Sequence, residues 1–82
     1  MPTVLMIECD RVVIYPNDHR PAHVHIIGGA CEAVFDLHCP KGPPEVRENF
    51  GYSRNQIRRL KSALRARLER LCNDWEHIHG DA

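Results

Sequence analysis

Three histidines and an aspartate fall within ten residues, "NDHRPAHVHI" at positions 17–26, in a chain of 82 residues that holds six histidines. Imidazole both moves protons near neutral pH and binds borderline metal ions, so the spacing of these residues bears on the chemistry. His23 and His25 are two apart. On a β-strand that spacing sends both side chains to one face, with Cα atoms about 6.6 Å apart. Such a pair can converge on one ion, and Asp18 or His19 from the preceding loop can complete a set of three ligands that leaves a position open for water. Zinc is one divalent ion such a set suits.

The same residues can act without a metal. His19 and His23 can exchange protons as general base and general acid, with His25 oriented by Asp18 or Glu32. A third reading is plain: an outer sheet face rich in imidazole, behind a turn built from ordinary Asp and Pro.

The flanking pattern supplies the strands that would hold this cluster. Val4 to Ile7 and Val12 to Tyr15 are β-prone runs separated by the polar "ECDR", and Pro16 ends the second. "HVHIIGGACEAVFDLH" predicts a hairpin whose loop is Gly28-Gly29, residues that tolerate the positive φ of a tight turn. That loop sets Ile27 opposite Ala30, His25 opposite Glu32 and His23 opposite Val34. Alternation then puts Val24, Ile26, Cys31, Ala33, Phe35 and Leu37 on an apolar core side, with His23, His25, Glu32, Asp36 and His38 on the other. "CPKGPPE" reads as a loop, and "EVRENFGY" as a short further strand.

From Ser53 the period becomes helical. "SRNQ" fits a capping box of Ser53 and Gln56. Ile57, Leu60, Leu64, Leu68, Leu71, Trp75 and Ile78 then recur at steps of three and four, one apolar stripe over about 25 residues, in one long helix or two. The expected architecture is α+β: a small antiparallel sheet of N-terminal hairpins packed against a long C-terminal helix or helix pair. Leu60, Leu64, Leu68 and Trp75 should be buried with Val24, Ile26 and Phe35. The chain has room for a single domain, with a sheet region over 1–50 and a basic amphipathic helical region over 53–79. The length of the stripe favours a homo-oligomer.

Charge is unevenly placed although the formal net is +0. Residues 54–70 hold seven cations against Glu69 alone. Arg54, Arg58, Lys61 and Arg65 form a ridge beside the stripe that suits phosphates or an acidic partner, the plain alternative being a solvated face. The chain contains no apolar run near the roughly 20 residues of a membrane span, and its N-terminus lacks the basic stretch of a secretory signal. These features predict a cytoplasmic protein. In that reducing setting Cys9, Cys31, Cys39 and Cys72, which include no C-x-x-C pair, read as mostly buried free thiols, with cysteine-bound zinc the minor alternative.

The segments "MPT", "YPNDHRPAHVHI", "CEAVFDL" and "LCNDWE" together resemble the domain-of-unknown-function 4160 family of small bacterial proteins, whose signature is similar to N-D-H-x-P-x-H-x-H. The resemblance implies that Asp18, His19, Pro21, His23 and His25 share a site. It also implies an accessory or toxin-like component encoded beside a second small protein, as in toxin–antitoxin modules. Three function classes follow: a toxin-like ribonuclease using His19, His23, His25 and Glu32, with the basic ridge holding RNA; a metal-binding protein using Asp18, His19, His23 and His25; and a non-enzymatic module that docks a partner.

Overall fold

A computed structural model describes residues 3–79. The domain reading also took in residues 1, 2 and 80–82, which lie outside the described residues. The order of elements is β1 (Thr3–Ile7), β2 (Asp10–Val13), β3 (His23–Ile27), β4 (Glu32–Asp36), β5 (Glu45–Phe50), α1 (Arg54–Ala66) and α2 (Leu68–His79). All strand pairs are antiparallel and the spatial order is β1-β2-β3-β4-β5. The α+β expectation holds, with β5 extending the sheet beyond the two N-terminal hairpins. No helix among the described residues is long and apolar enough to cross a membrane.

Both helices lie on the face that alternation marks as apolar. Val24, Ile26, Ala33, Phe35 and Leu37 are fully buried there and share one cluster with Leu60, Leu64, Leu68, Leu71 and Trp75. α1 starts as its sequence dictates: the Ser53 hydroxyl accepts from the Gln56 N–H, while the Gln56 side chain accepts from the Ser53 N–H. The stripe is split into two helices at Arg67 (φ −120°, ψ 21°). No glycine or proline marks that break. It turns α2 so that Leu68, Leu71, Cys72 and Trp75 bury against the same sheet, while Ile57 and Ile78 at the two ends of the stripe stay half-buried.

The β3–β4 register differs from the two-residue loop the glycines suggest. The loop is four residues long, closed by Gly28 N–H donating to Cys31 O (2.9 Å). Ile27 therefore pairs with Glu32, His25 with Val34 and His23 with Asp36. A slip of two residues preserves which side chains share a face, so the core assignment survives while the cross-strand partners change.

Gly28 is needed for another reason. A Cβ there would stand 2.5 Å from Asp10 Oδ1 and 2.8 Å from the Tyr52 hydroxyl. Those two groups meet where Tyr52 donates to Asp10 (3.1 Å), fastening the approach to α1 onto the first hairpin. Burial, then the carboxylate beside it, pushes the Tyr52 phenol well above its ordinary range. A phenol whose pKa is raised on folding contributes stability that is complete below the unfolded value of about 10 and is lost as pH rises beyond it. The wild type should therefore lose about 1 kcal/mol more than Tyr52→Phe between pH 9 and pH 11 in urea unfolding. Parallel losses in the two proteins would show that the phenol ionises alike in both states.

The cysteines depart from the free-thiol expectation. Cys39 and Cys72 form a disulfide with Cα atoms 5.9 Å apart, a spacing that suits the bond. It arises because α2 packs against the turn after β4, which no local spacing in the sequence reveals. Cys9 and Cys31 are free.

Candidate metal centre

The loop between β2 and β3 places Asp18 over the cluster. Tyr15-Pro16-Asn17-Asp18 forms a turn closed by Asp18 N–H donating to Tyr15 O (3.1 Å), with proline at the second position, where its fixed φ is favoured. Asp18 Oδ2 thereby comes to 3.1 Å from His23 Nε2 and 3.1 Å from His25 Nε2. One ligand atom from each of these three residues lies within 4.8 Å of the other two.

The site lies on the sheet face opposite the helices. His23 is nevertheless only 6% exposed on that face. His25 has apolar neighbours: Val13 and Val34, both buried, pair with it from either side, and the Tyr15 ring meets the His25 ring edge-on at 4.6 Å. Such walls limit water and strengthen electrostatics at the mouth of the site. A cleft of about 560 Å³ opens beside it, shared by Asp18, His19, Arg20, His23, Asp36 and Arg47.

Hydrogen bonding fixes what His23 presents. Its Nδ1 lies 2.8 Å from the Pro21 carbonyl, an acceptor only, so Nδ1 carries a proton. A neutral imidazole protonated there has a bare lone pair at Nε2. That nitrogen faces the Asp18 carboxylate at 3.1 Å, a contact that a proton on Nε2 or a metal cation held by both groups satisfies. The orientation is the one metal-bound histidines adopt, with the distal nitrogen tied to a backbone carbonyl. Two ligand atoms each about 2.1 Å from an ion, at angles of about 90–110°, stand roughly 3.0–3.4 Å apart, and the 3.1 Å separations fall in that range.

His25 is less fully partnered. Its Nδ1 is buried without a hydrogen-bond partner, and the Glu32 carboxylate lies 3.9 Å away. Glu32 approaches on the diagonal, since the residue directly opposite His25 is Val34.

The structure brings together Asp18, His23 and His25, with Glu32 at their edge. His19 is exposed and lines the cleft outside the group of three. Arg54, Arg58, Lys61 and Arg65 are exposed on α1, which packs across the sheet from the histidines. Sequence reasoning overlooked Tyr15, the Pro21 carbonyl and the Asp36–Arg47 ion pair. Pro16-Asn17 was the available signal for the first, because a turn there folds Tyr15 and Asp18 toward one another.

A family model described as a domain of unknown function, DUF4160, matches residues 11–76, which include the whole cluster and both helices through Glu76. No curated protein and no solved structure matches the chain.

Proposed function

The chain belongs to the DUF4160 family, and on that premise we propose that it binds one divalent transition-metal ion through Asp18, His23 and His25. The observation that carries this reading is the convergence of a backbone-tied His23 and of His25 on one carboxylate: Nδ1 of His23 donates to Pro21 O, which leaves Nε2 directed at Asp18 Oδ2 at 3.1 Å, where one cation can bridge them. An ion held there satisfies both acceptors together with His25 Nε2. Two imidazoles and one carboxylate suit zinc or ferrous iron, and three protein ligands leave a position for water or a small ligand.

Proton exchange between His19 and His23, the basis of an RNA-cleaving reading, is supported less. His19 is exposed and outside the cluster, and His23 Nε2 already faces Asp18. The basic helix also lies across the sheet, so a strand bound along it does not run through the histidines. A toxin-like accessory role beside a small protein partner is compatible with a metal site and rests on the family resemblance.

Protein purified without a histidine tag, and analysed for metals, should carry close to one transition-metal ion per chain or take up one zinc on titration. Glu32→Gln should lower zinc affinity by less than about tenfold, because Glu32 stands 3.9 Å from His25 Nδ1, beyond hydrogen-bond reach. Absence of metal after purification, together with no saturable zinc uptake at neutral pH, would sink the metal reading.

A further inference from the structure

The basic ridge on α1 stands apart from the metal centre. At 100° per residue Arg54, Arg58, Lys61 and Arg65 fall within an arc of about 60°, and at 1.5 Å per residue they span about 16 Å. All four are exposed. None takes part in an ion pair or a side-chain hydrogen bond among the described residues, whereas Arg59 reaches Glu8 and Arg70 reaches Asp74 and the Val4 carbonyl.

Among the described residues, all the acids except Glu48 and Glu69 are engaged by groups outside the ridge. Asp10 is bound by Tyr52, Asp18 by the histidines, Asp36 by Arg47, Glu45 by His38 and Glu76 by Arg20. α1 itself contains no acidic residue, and its first turn, where acids are favoured, begins with Arg54. A chain of zero net charge thus keeps a line of uncompensated positive charge.

The side chains around the ridge say which class of partner it fits. Protein interfaces are centred on buried aromatic or aliphatic anchors. The exposed polar neighbours on the open side of the ridge are Asn55 and Ser62, and Ile57, Leu60 and Leu64 are turned toward the sheet. A straight row of cations among small polar groups matches a phosphodiester backbone, which is bound by charge and registers no side-chain pockets.

We propose that the α1 ridge of Arg54, Arg58, Lys61 and Arg65 binds the phosphate backbone of a nucleic-acid strand, independently of the metal centre on the opposite face of the sheet. Four phosphate contacts set the salt dependence. For a single strand the slope of log K against log salt is about −2.8, so affinity falls roughly 50-fold between 50 and 200 mM salt.

The test is fluorescence anisotropy with a labelled 20-nucleotide single-stranded RNA, and with DNA of the same sequence, in buffer containing chelator so that the histidine cluster plays no part. The wild type should show the 50-fold loss on at least one strand, and the relative affinities identify RNA or DNA as the source of the phosphates. Arg58→Ser/Lys61→Ser/Arg65→Ser leaves one contact, and its affinity should fall only about 3-fold over the same salt range. Should that variant fail to fold by circular dichroism, Arg58→Gln alone should reduce the slope by about 0.7. No saturable binding at 50 mM salt overturns the proposal. So does a slope that the substitutions leave unchanged, or tighter binding to a polyglutamate peptide than to either strand.

Discussion

Zinc at a hundred times its dissociation constant is expected to raise the melting temperature by roughly 10–20 °C. Binding to the native state alone contributes about 2.7 kcal/mol at that excess, and in a domain of 60–100 residues each kcal/mol moves the midpoint by about 4–8 °C. The effect is expected because Asp18 Oδ2 lies 3.1 Å from both imidazole Nε2 atoms, and His23 is buried. Chelator should reverse the gain. Lowering the pH should shrink it, because protons compete for the same nitrogens. Asp18→Ala and His23→Ala should each abolish the shift, while His19→Ala should retain it, since His19 stands outside the cluster. Differential scanning fluorimetry of the four proteins with and without zinc reads all of this. A shift of equal size in Asp18→Ala would assign the stabilisation to some other ion site.

Leu64→Ala is expected to lower stability by about 2–5 kcal/mol. Leu64 is fully buried and shares its cluster with Val24, Ile26, Phe35 and Trp75. Truncating it removes its own transfer free energy and leaves a void between α1 and the sheet. A chain of this size has about 4–12 kcal/mol of stability in all, so the loss is a large part of the total. Arg58→Ser, one helical face away and exposed, should stay within about 0.5 kcal/mol of wild type. Urea unfolding of the two variants distinguishes the packed face from the solvated one, and similar midpoints for both would show that α1 does not pack on the sheet through Leu64.

The core was legible because burial leaves a periodic trace. Val24, Ile26, Ala33 and Phe35 alternate, Leu60, Leu64, Leu68 and Trp75 follow helical spacing, and every one of them is buried. The Ser53–Gln56 box was legible for a similar reason: its partners are three residues apart, and local geometry alone determines the contact. The candidate metal site was legible in part. Strand periodicity joined His23 to His25, but the choice of Asp18 over His19 depends on how a turn at Pro16 aims two adjacent side chains. The pairing of β3 with β4 was misjudged because Gly28-Gly29 satisfies the steric demands of a two-residue loop, while the contact of Gly28 with Asp10 and Tyr52 is set by residues 18 and 24 positions away. The Cys39–Cys72 bond, with a separation of 33 residues, is likewise a product of tertiary packing.

The strand order β1-β2-β3-β4-β5 also bears on how the chain reaches its native state. Each strand pairs only with its neighbours in sequence, and α1 and α2 follow the last strand directly, so the sheet forms through a succession of short loop closures. Chains rich in such local contacts fold fast for their class, because little chain entropy is lost before each new contact forms. The long-range fasteners, Arg20 with Glu76 and Cys39 with Cys72, join segments 56 and 33 residues apart. They are suited to lock a meander that has already assembled, and their removal should act mainly on the rate of unfolding.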